Sequence, residues 1–450
     1  SIQTYITNGW ITAYNGDSSA KVYVGYDSQT NTTHLWADKV LGTVGLYVYL
    51  PYVGQTADYN FWKNSGFNIL EVAETGFYWR PDQLSVYYTN MRNKIADAKS
   101  HGFKVSVILL ACMNQYGGPN ESGNANPLCF SPDDAAKMSE RLGYIQTAIT
   151  NLSNADRFVF IPGDPGAVTN ANTTVDDFIA MEQAVRAKVQ QYAPNAAYMV
   201  SDWGLPEWQW PIVHSYETAT YWIEKVDMAQ YLVEQGVFGY ECGAEVACDN
   251  YYRPLALTQY VTFGVTPELY PSASEVAALR TKAVKDIWAW PYDLTDDGVH
   301  QTQLEVRYIR DMVNKAKTLK LDGMTCNTDM DVWGRNESLN VYAFARLCVT
   351  DGMTSDQIID EIAGLLATSA TKATMVKILK FVENNSTWHL DMPAQYRLPN
   401  LDCGDVINAT IALTQLDTVV ANPDNPLPLP DTPASYISRI RTRLEWIRDH

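Results

Sequence analysis

Acidic residues in this 450-residue chain return at one kind of place, directly behind short apolar or β-branched runs. Glu71 and Glu74 stand at the end of Asn68–Val72, and Asp164 follows Phe158–Ile161 within Gly163-Asp164-Pro165-Gly166. Asp202 and Trp203 follow Tyr198–Ser201, and Glu241 and Glu245 follow Phe238–Tyr240. Glu268 follows Val261–Val265 within Thr266-Pro267-Glu268, while Asn327 and Asp329 follow Leu321–Thr325. Paired carboxyls suit the cleavage of a bond between sugars. One carboxyl, protonated, gives its proton to the leaving oxygen; the other, ionised, activates water or attacks the anomeric carbon. Each residue also has a competing structural role. Asp164 would cap the helix that follows its strand, and Glu241 and Glu268 would each make an ion pair.

Other chemistries find less support. The six histidines form no His-x-x-x-His or Glu-x-x-His spacing, and the seven cysteines include no Cys-x-x-Cys. No metal site or cofactor is therefore expected. No Gly-x-Ser-x-Gly elbow and no phosphate-binding loop occurs either. The aromatic composition leans toward rings with polar tips: 28 Tyr and 13 Trp against 12 Phe. Such rings stack on pyranose faces while their O–H and N–H groups bond hydroxyls. Trp203, Trp208, Trp210 and Tyr240 are the candidate stacking surfaces, with Glu71 and Asp202 as polar substrate contacts. Arg80 and Arg253 are candidates to hold a carboxylate or sulfate through paired hydrogen bonds.

The elements that must position these groups follow from the rhythm of the chain. From about residue 42, short runs of β-branched and aliphatic residues alternate with amphipathic stretches, the pattern of βα units around a parallel sheet. Eight strands are predicted, at Val44–Leu50, Asn68–Val72, Lys104–Leu110, Phe158–Ile161, Tyr198–Ser201, Phe238–Tyr240, Val261–Val265 and Leu321–Thr325. That number predicts an α/β fold, a (β/α)8 TIM barrel over residues 42–335, whose active site lies where strands end and loops begin. Before the last strand, Leu304, Ile309, Met312, Val313, Ala316 and Leu319 share one helical face. Residues 1–41 read as a short N-terminal β segment with Asn-Gly turns, and 336–450 as a C-terminal helical region. Within the latter, helices are predicted around Ile358–Leu366 and over 370–384, 404–415 and 432–448.

Charge narrows the partners. With 33 Lys and Arg against 51 Asp and Glu, the net charge of −18 repels nucleic acid and anionic membrane surfaces. No apolar run reaches the length of a membrane span. A start at Ser1 without Met fits removal of a leader or a trimmed chain, and eight Asn-x-Ser/Thr sequons begin at Asn31, Asn120, Asn151, Asn172, Asn336, Asn384, Asn385 and Asn408. Together they give the expectation of a secreted or extracytoplasmic protein. Cys112 with Cys129, and Cys242 with Cys248, would each close a short loop as a disulfide, or remain buried thiols.

The order of segments resembles the α-glucuronidases of glycoside hydrolase family 67. Asp58–Val72, with Phe67-Asn68-Ile69, is similar to that family's helix leading into an early barrel strand, and His101-Gly102-Phe103-Lys104-Val105 to its next helix-to-strand junction. Asn126-Pro127-Leu128 and Phe158–Gly166 resemble the approach to strand four, where the family carries its general acid in Glu-Gly-Gln-Pro-Gly. Here the run is Pro162-Gly163-Asp164-Pro165-Gly166. Pro162 occupies the acid's place, so the resemblance passes that role to Asp164 two residues on. Thr266-Pro267-Glu268-Leu269-Tyr270 resembles the family's Thr-Gln-Glu-Tyr, which makes Glu268 a base together with Glu241 or Glu245, ahead of Arg253-Pro254. Leu339–Leu347 is similar to the family's Ala-Asn-Trp-Tyr-Ala-Phe-Gly-Arg-Leu, and Ser355–Glu361 continues the likeness. The resemblance covers about residues 58–366 and implies an inverting glycoside hydrolase with carbohydrate as its partner. Two further readings stand beside it: a barrel that binds carbohydrate without cleaving it, and a polysaccharide lyase.

Overall fold

The computed structural model describes residues 22–27, 32–37, 41–47, 56–74, 82–112, 135–163, 175–201, 243–247, 287–290, 304–318, 320–327, 338–385, 403–427 and 431–449. Strands β1 (Val22–Asp27) and β2 (Thr32–Ala37) pair antiparallel, from Val22 opposite Ala37 to Asp27 opposite Thr32. Eight parallel strands follow: β3 (Thr43–Tyr47), β4 (Ile69–Ala73), β5 (Lys104–Cys112), β6 (Arg157–Gly163), β7 (Ala197–Ser201), β8 (Gly243–Ala247), β9 (Ile287–Trp290) and β10 (Gly323–Asn327). Each pairs with the next, and β10 returns to β3 with Thr325 opposite Gly45, which closes the ring. The chain thus folds as the expected TIM-type barrel.

Two strands sit elsewhere than predicted. The sixth barrel strand is Gly243–Ala247, five residues beyond the start of Phe238–Tyr240, and the seventh is Ile287–Trp290 rather than Val261–Val265. Since β8 pairs directly with β9, and β9 with β10, Ile287–Trp290 takes the seventh place in the ring, and residues 238–240 and 261–265 lie outside the described residues. The physical reason is composition. Gly243-Ala244-Glu245-Val246-Ala247 carries a single β-branched residue and is a strand through its partners, whereas Val261-Thr262-Phe263-Gly264-Val265 has the higher propensity.

Helices between the strands include α1 (Thr56–Ser65), α2 (Leu84–Ser100), α3 (Ala135–Asn151), α4 (Val175–Tyr192) and α5 (Val306–Thr318). Of the expected stripe, Leu304 just ahead of α5 and Ile309, Met312, Val313 and Ala316 on it are buried, Val306 joins them, and Leu319 lies outside the described residues. Among the described residues, five helices follow the last strand: α6 (Ser338–Val349), α7 (Ser355–Leu366), α8 (Lys372–Asn384), α9 (Cys403–Leu416) and α10 (Pro433–Asp449). Helix α7 begins with a capping box. The Gln357 N–H donates to Thr354 Oγ1 at 3.2 Å, and the Thr354 N–H donates to Gln357 Oε1 at 2.8 Å.

One apolar core runs from the outer face of the barrel into these last helices. Helix α6 carries Phe344, fully buried, onto Phe67 at 6.2 Å between ring centres. The segment that resembles the family motif therefore works as packing and clamps. Asn340 Oδ1 accepts from the Glu305 N–H at 3.1 Å, so α6 holds the entry to α5. Arg346 grips Glu361 through Nε and Nη2 at 2.9 and 3.1 Å, and the Tyr342 hydroxyl donates to the same carboxylate at 2.8 Å, tying α6 to α7.

Candidate active site

Strand β4 splits its residues between two environments. Leu70 and Val72 join the apolar core that the helices cover, whereas Ile69 and Glu71 take the other face. That face is the inside of the barrel, because Glu71 meets residues of strands that are not its neighbours. Its carboxyl feels Arg157 on β6 and Thr325 on β10. Arg157 in turn lies over the Trp288 ring of β9, 3.9 Å from its centre, and contacts Met199 Sδ of β7 at 3.9 Å. Only the barrel lumen brings these strands together. Ser106, in register with Glu71 and Arg157, belongs to the same face.

Glu71 is 2% exposed, and burial pushes its carboxyl up to about 7. The Arg157 guanidinium and the nearby Thr325 hydroxyl offset part of that rise. Thr325 Oγ1 faces Glu71 outside good hydrogen-bonding geometry, and Glu71 Oε2, Ser106 Oγ and Trp288 Nε1 also lack a hydrogen-bond partner. Glycine makes this crowding feasible: a methyl group at Gly45 would lie 2.4 Å from Thr325 Cγ2 and 3.5 Å from Glu71 Oε1.

Glu74, three residues on, has the opposite fate. Its N–H donates to the Ile108 carbonyl at 2.9 Å, and its carboxylate accepts from the Tyr88 hydroxyl at 3.2 Å. Tyr88 lies in the helix layer, where burial first and then the charge of Glu74 raise its pKa. Arg141 of α3 stands beside this pair and donates Nε–H to the Ala111 carbonyl at 3.0 Å and Nη2–H to that of Leu110. Glu74, Tyr88 and Arg141 thus bind the ends of β4 and β5 to the surrounding helices.

Of the residues proposed from sequence for catalysis or binding, Glu71 is the one whose side chain is described. Glu245 is placed by its backbone on β8, opposite Ser201 and Trp288, inside the strand and not behind it. Asp164, Asp202, Trp203, Trp208, Tyr240, Glu241, Arg253, Glu268 and Arg80 lie outside the described residues. Their positions in the chain still bear on the site. Asp164 is the next residue after β6, and Asp202 the next after β7, at the strand ends where barrel enzymes carry their chemistry. Glu241 comes before β8 begins, not after the sixth strand, and Glu268 belongs to the connection between β8 and β9, not to the end of the seventh. The sequence reading missed Ser106, Arg157, Trp288 and Thr325. Their signal was a polar or amphipathic residue inside an otherwise apolar run, as in Lys104-Val105-Ser106-Val107.

No family model matches the sequence, and no curated protein matches it. Solved structures do share its fold, and they are glycoside hydrolases of several families. An enzyme of family 138 targeting pectin rhamnogalacturonan II superposes with a TM-score of 0.56 at 9% identity, over 94% of this chain and 58% of its own. A family 115 4-O-methyl-α-glucuronidase with specificity for decorated arabinogalactans gives 0.54 at 8% identity, over 92% of this chain and 55% of its own. A mutant O-GlcNAc hydrolase of Thermobaculum terrenum gives 0.51 at 10% identity, over 91% of this chain and 81% of its own. The chain thus spans little more than half the length of the first two.

Proposed function

We propose that the protein is a glycoside hydrolase that cleaves an oligo- or polysaccharide outside the cytoplasm, with inversion at the anomeric carbon. The observation that carries this reading is the closed parallel barrel with Asp164 and Asp202 directly behind β6 and β7. Asp164 is the general acid. Glu268 and one glutamate of the Glu241/Glu245 pair hold and deprotonate the water, and the corrected strand favours Glu245, which lies within β8. Inversion asks for acid and base about 6.5–9.5 Å apart, room for one water between them. Asp202, Trp203, Trp208 and Tyr240 line the sugar site, and Arg80 or Arg253 receives an acidic substituent.

Proton NMR of the protein with neutral, uronic and acetamido oligosaccharides tests the reading. A released sugar whose first-formed anomer is inverted supports it, and Asp164→Asn should then slow turnover by about 10²–10⁴-fold. Retention would overturn the water-activating pair. Line broadening without turnover would instead favour a carbohydrate-binding barrel, a reading to which Pro162 at the place of the family acid lends support. An unsaturated product absorbing in the near ultraviolet would mark a lyase.

A further inference from the structure

We propose that the barrel interior around Glu71 is a built site for internal water, held by Glu71, Ser106, Thr325 and Trp288. These four residues, on β4, β5, β10 and β9, are at most 2% exposed, and each has a side-chain oxygen or nitrogen with no hydrogen-bond partner. An unpaired polar atom in a protein interior costs about 1–3 kcal/mol, so four in one lumen call for an occupant. Glu71 links the set: it faces Thr325 across β3 and is in register with Ser106, while Arg157 connects it to Trp288. Small side chains stand beside Glu71, at Gly45, Ser106 and Thr325, where the layers of such a barrel mostly carry bulky Val, Ile and Leu.

Charge decides what kind of guest fits. Once ionised, the carboxyl of Glu71 repels an anion, and the guanidinium of Arg157 repels a cation. A neutral molecule that both donates and accepts is left, since the indole N–H only donates while the carboxylate accepts. Water meets that requirement and needs two to four polar partners, the number offered here. The inference does not depend on the reaction above and would stand if no sugar were cleaved.

A high-resolution crystal structure of the whole chain tests it. Ordered water within hydrogen-bonding distance of at least two of the four groups is expected; a dry lumen, or direct pairing of Glu71 with Thr325, would overturn the proposal. In solution, oxygen-17 relaxation dispersion counts long-lived internal waters. The isosteric Thr325→Val protein, and separately Ser106→Ala, should each lose at least one such water relative to the wild type. Unchanged dispersion in folded samples of both variants would sink the idea.

Discussion

The inside of the barrel and the layer between barrel and helices are both buried, yet they are built on opposite rules. Between barrel and helices, Leu70, Val72, Val107, Phe158, Phe160 and Met324 form one apolar mass with Phe67 and Phe344. Several polar groups admitted there are bonded, as Glu74 is to Tyr88 and Arg141 to the carbonyls of Leu110 and Ala111, although Tyr59 Oη and Ser355 Oγ have no hydrogen-bond partner. The lumen instead holds Glu71, Ser106, Arg157 and Thr325 around Trp288, with several polar atoms unpaired. The outer layer contributes the larger continuous apolar burial. The lumen keeps polar groups beneath the strand ends, where the internal water proposed above would pair them.

The contrast can be broken most forcefully from the outer layer. Phe344→Ala empties the contact with Phe67 and should lower unfolding free energy by about 3–5 kcal/mol, read as a shift in the urea midpoint. A loss below about 1 kcal/mol would mean that the last helices add little to the barrel.

The lumen should show itself through pH. Glu71 has a folded pKa near 7 against an ordinary value of 4.5, so below about 4.5 it is neutral in both states and costs nothing. As pH rises through 4.5 the unfolded carboxyl ionises first, and stability falls until the folded group follows near 7. The loss between pH 4.5 and 8 should be on the order of 3 kcal/mol, and Glu71→Gln should remove it. Unfolding curves of both proteins across that range decide the matter. Parallel pH dependences would show that Glu71 is ionised throughout.

A smaller effect sharpens the comparison within the lumen. Gly45→Ala places a methyl 2.4 Å from Thr325 Cγ2 and should cost about 1–3 kcal/mol by overpacking. Adding Thr325→Ser removes that Cγ2 and should recover most of the loss in thermal denaturation; failure to recover would place the strain elsewhere.

The helices were legible in the sequence wherever one face is apolar and the other wet. The stripe on α5 and the expected helices at 370–384, 404–415 and 432–448 match α8, α9 and α10 within a few residues. Strand β8 was not legible because its sequence is weak, and the four-residue β9, with Ile287, Trp288 and Trp290, was passed over for the longer run Val261–Val265. The lumen was hidden for a different reason. A barrel strand is buried on both faces, so alternation in β5 or β6 does not say which residues look inward. Glu71 and Glu74 looked alike in sequence, and three positions along the strand send one to the lumen and the other to the helices.

The clamps on α5 bear on how the chain is made. The backbone N–H of Glu305 is bound by Asn340, 35 residues later, and that of Arg307 by the carboxylate of Glu383 at 2.6 Å, 76 residues later. Closure of the ring also waits, since β3 finds its second neighbour only when β10 has been made. A ribosome working from the N-terminus thus releases each part before the part that secures it. The helix ahead of the last barrel strand gains both of these side-chain caps only after Glu383 has emerged, so this barrel and its C-terminal helices mature together late in synthesis.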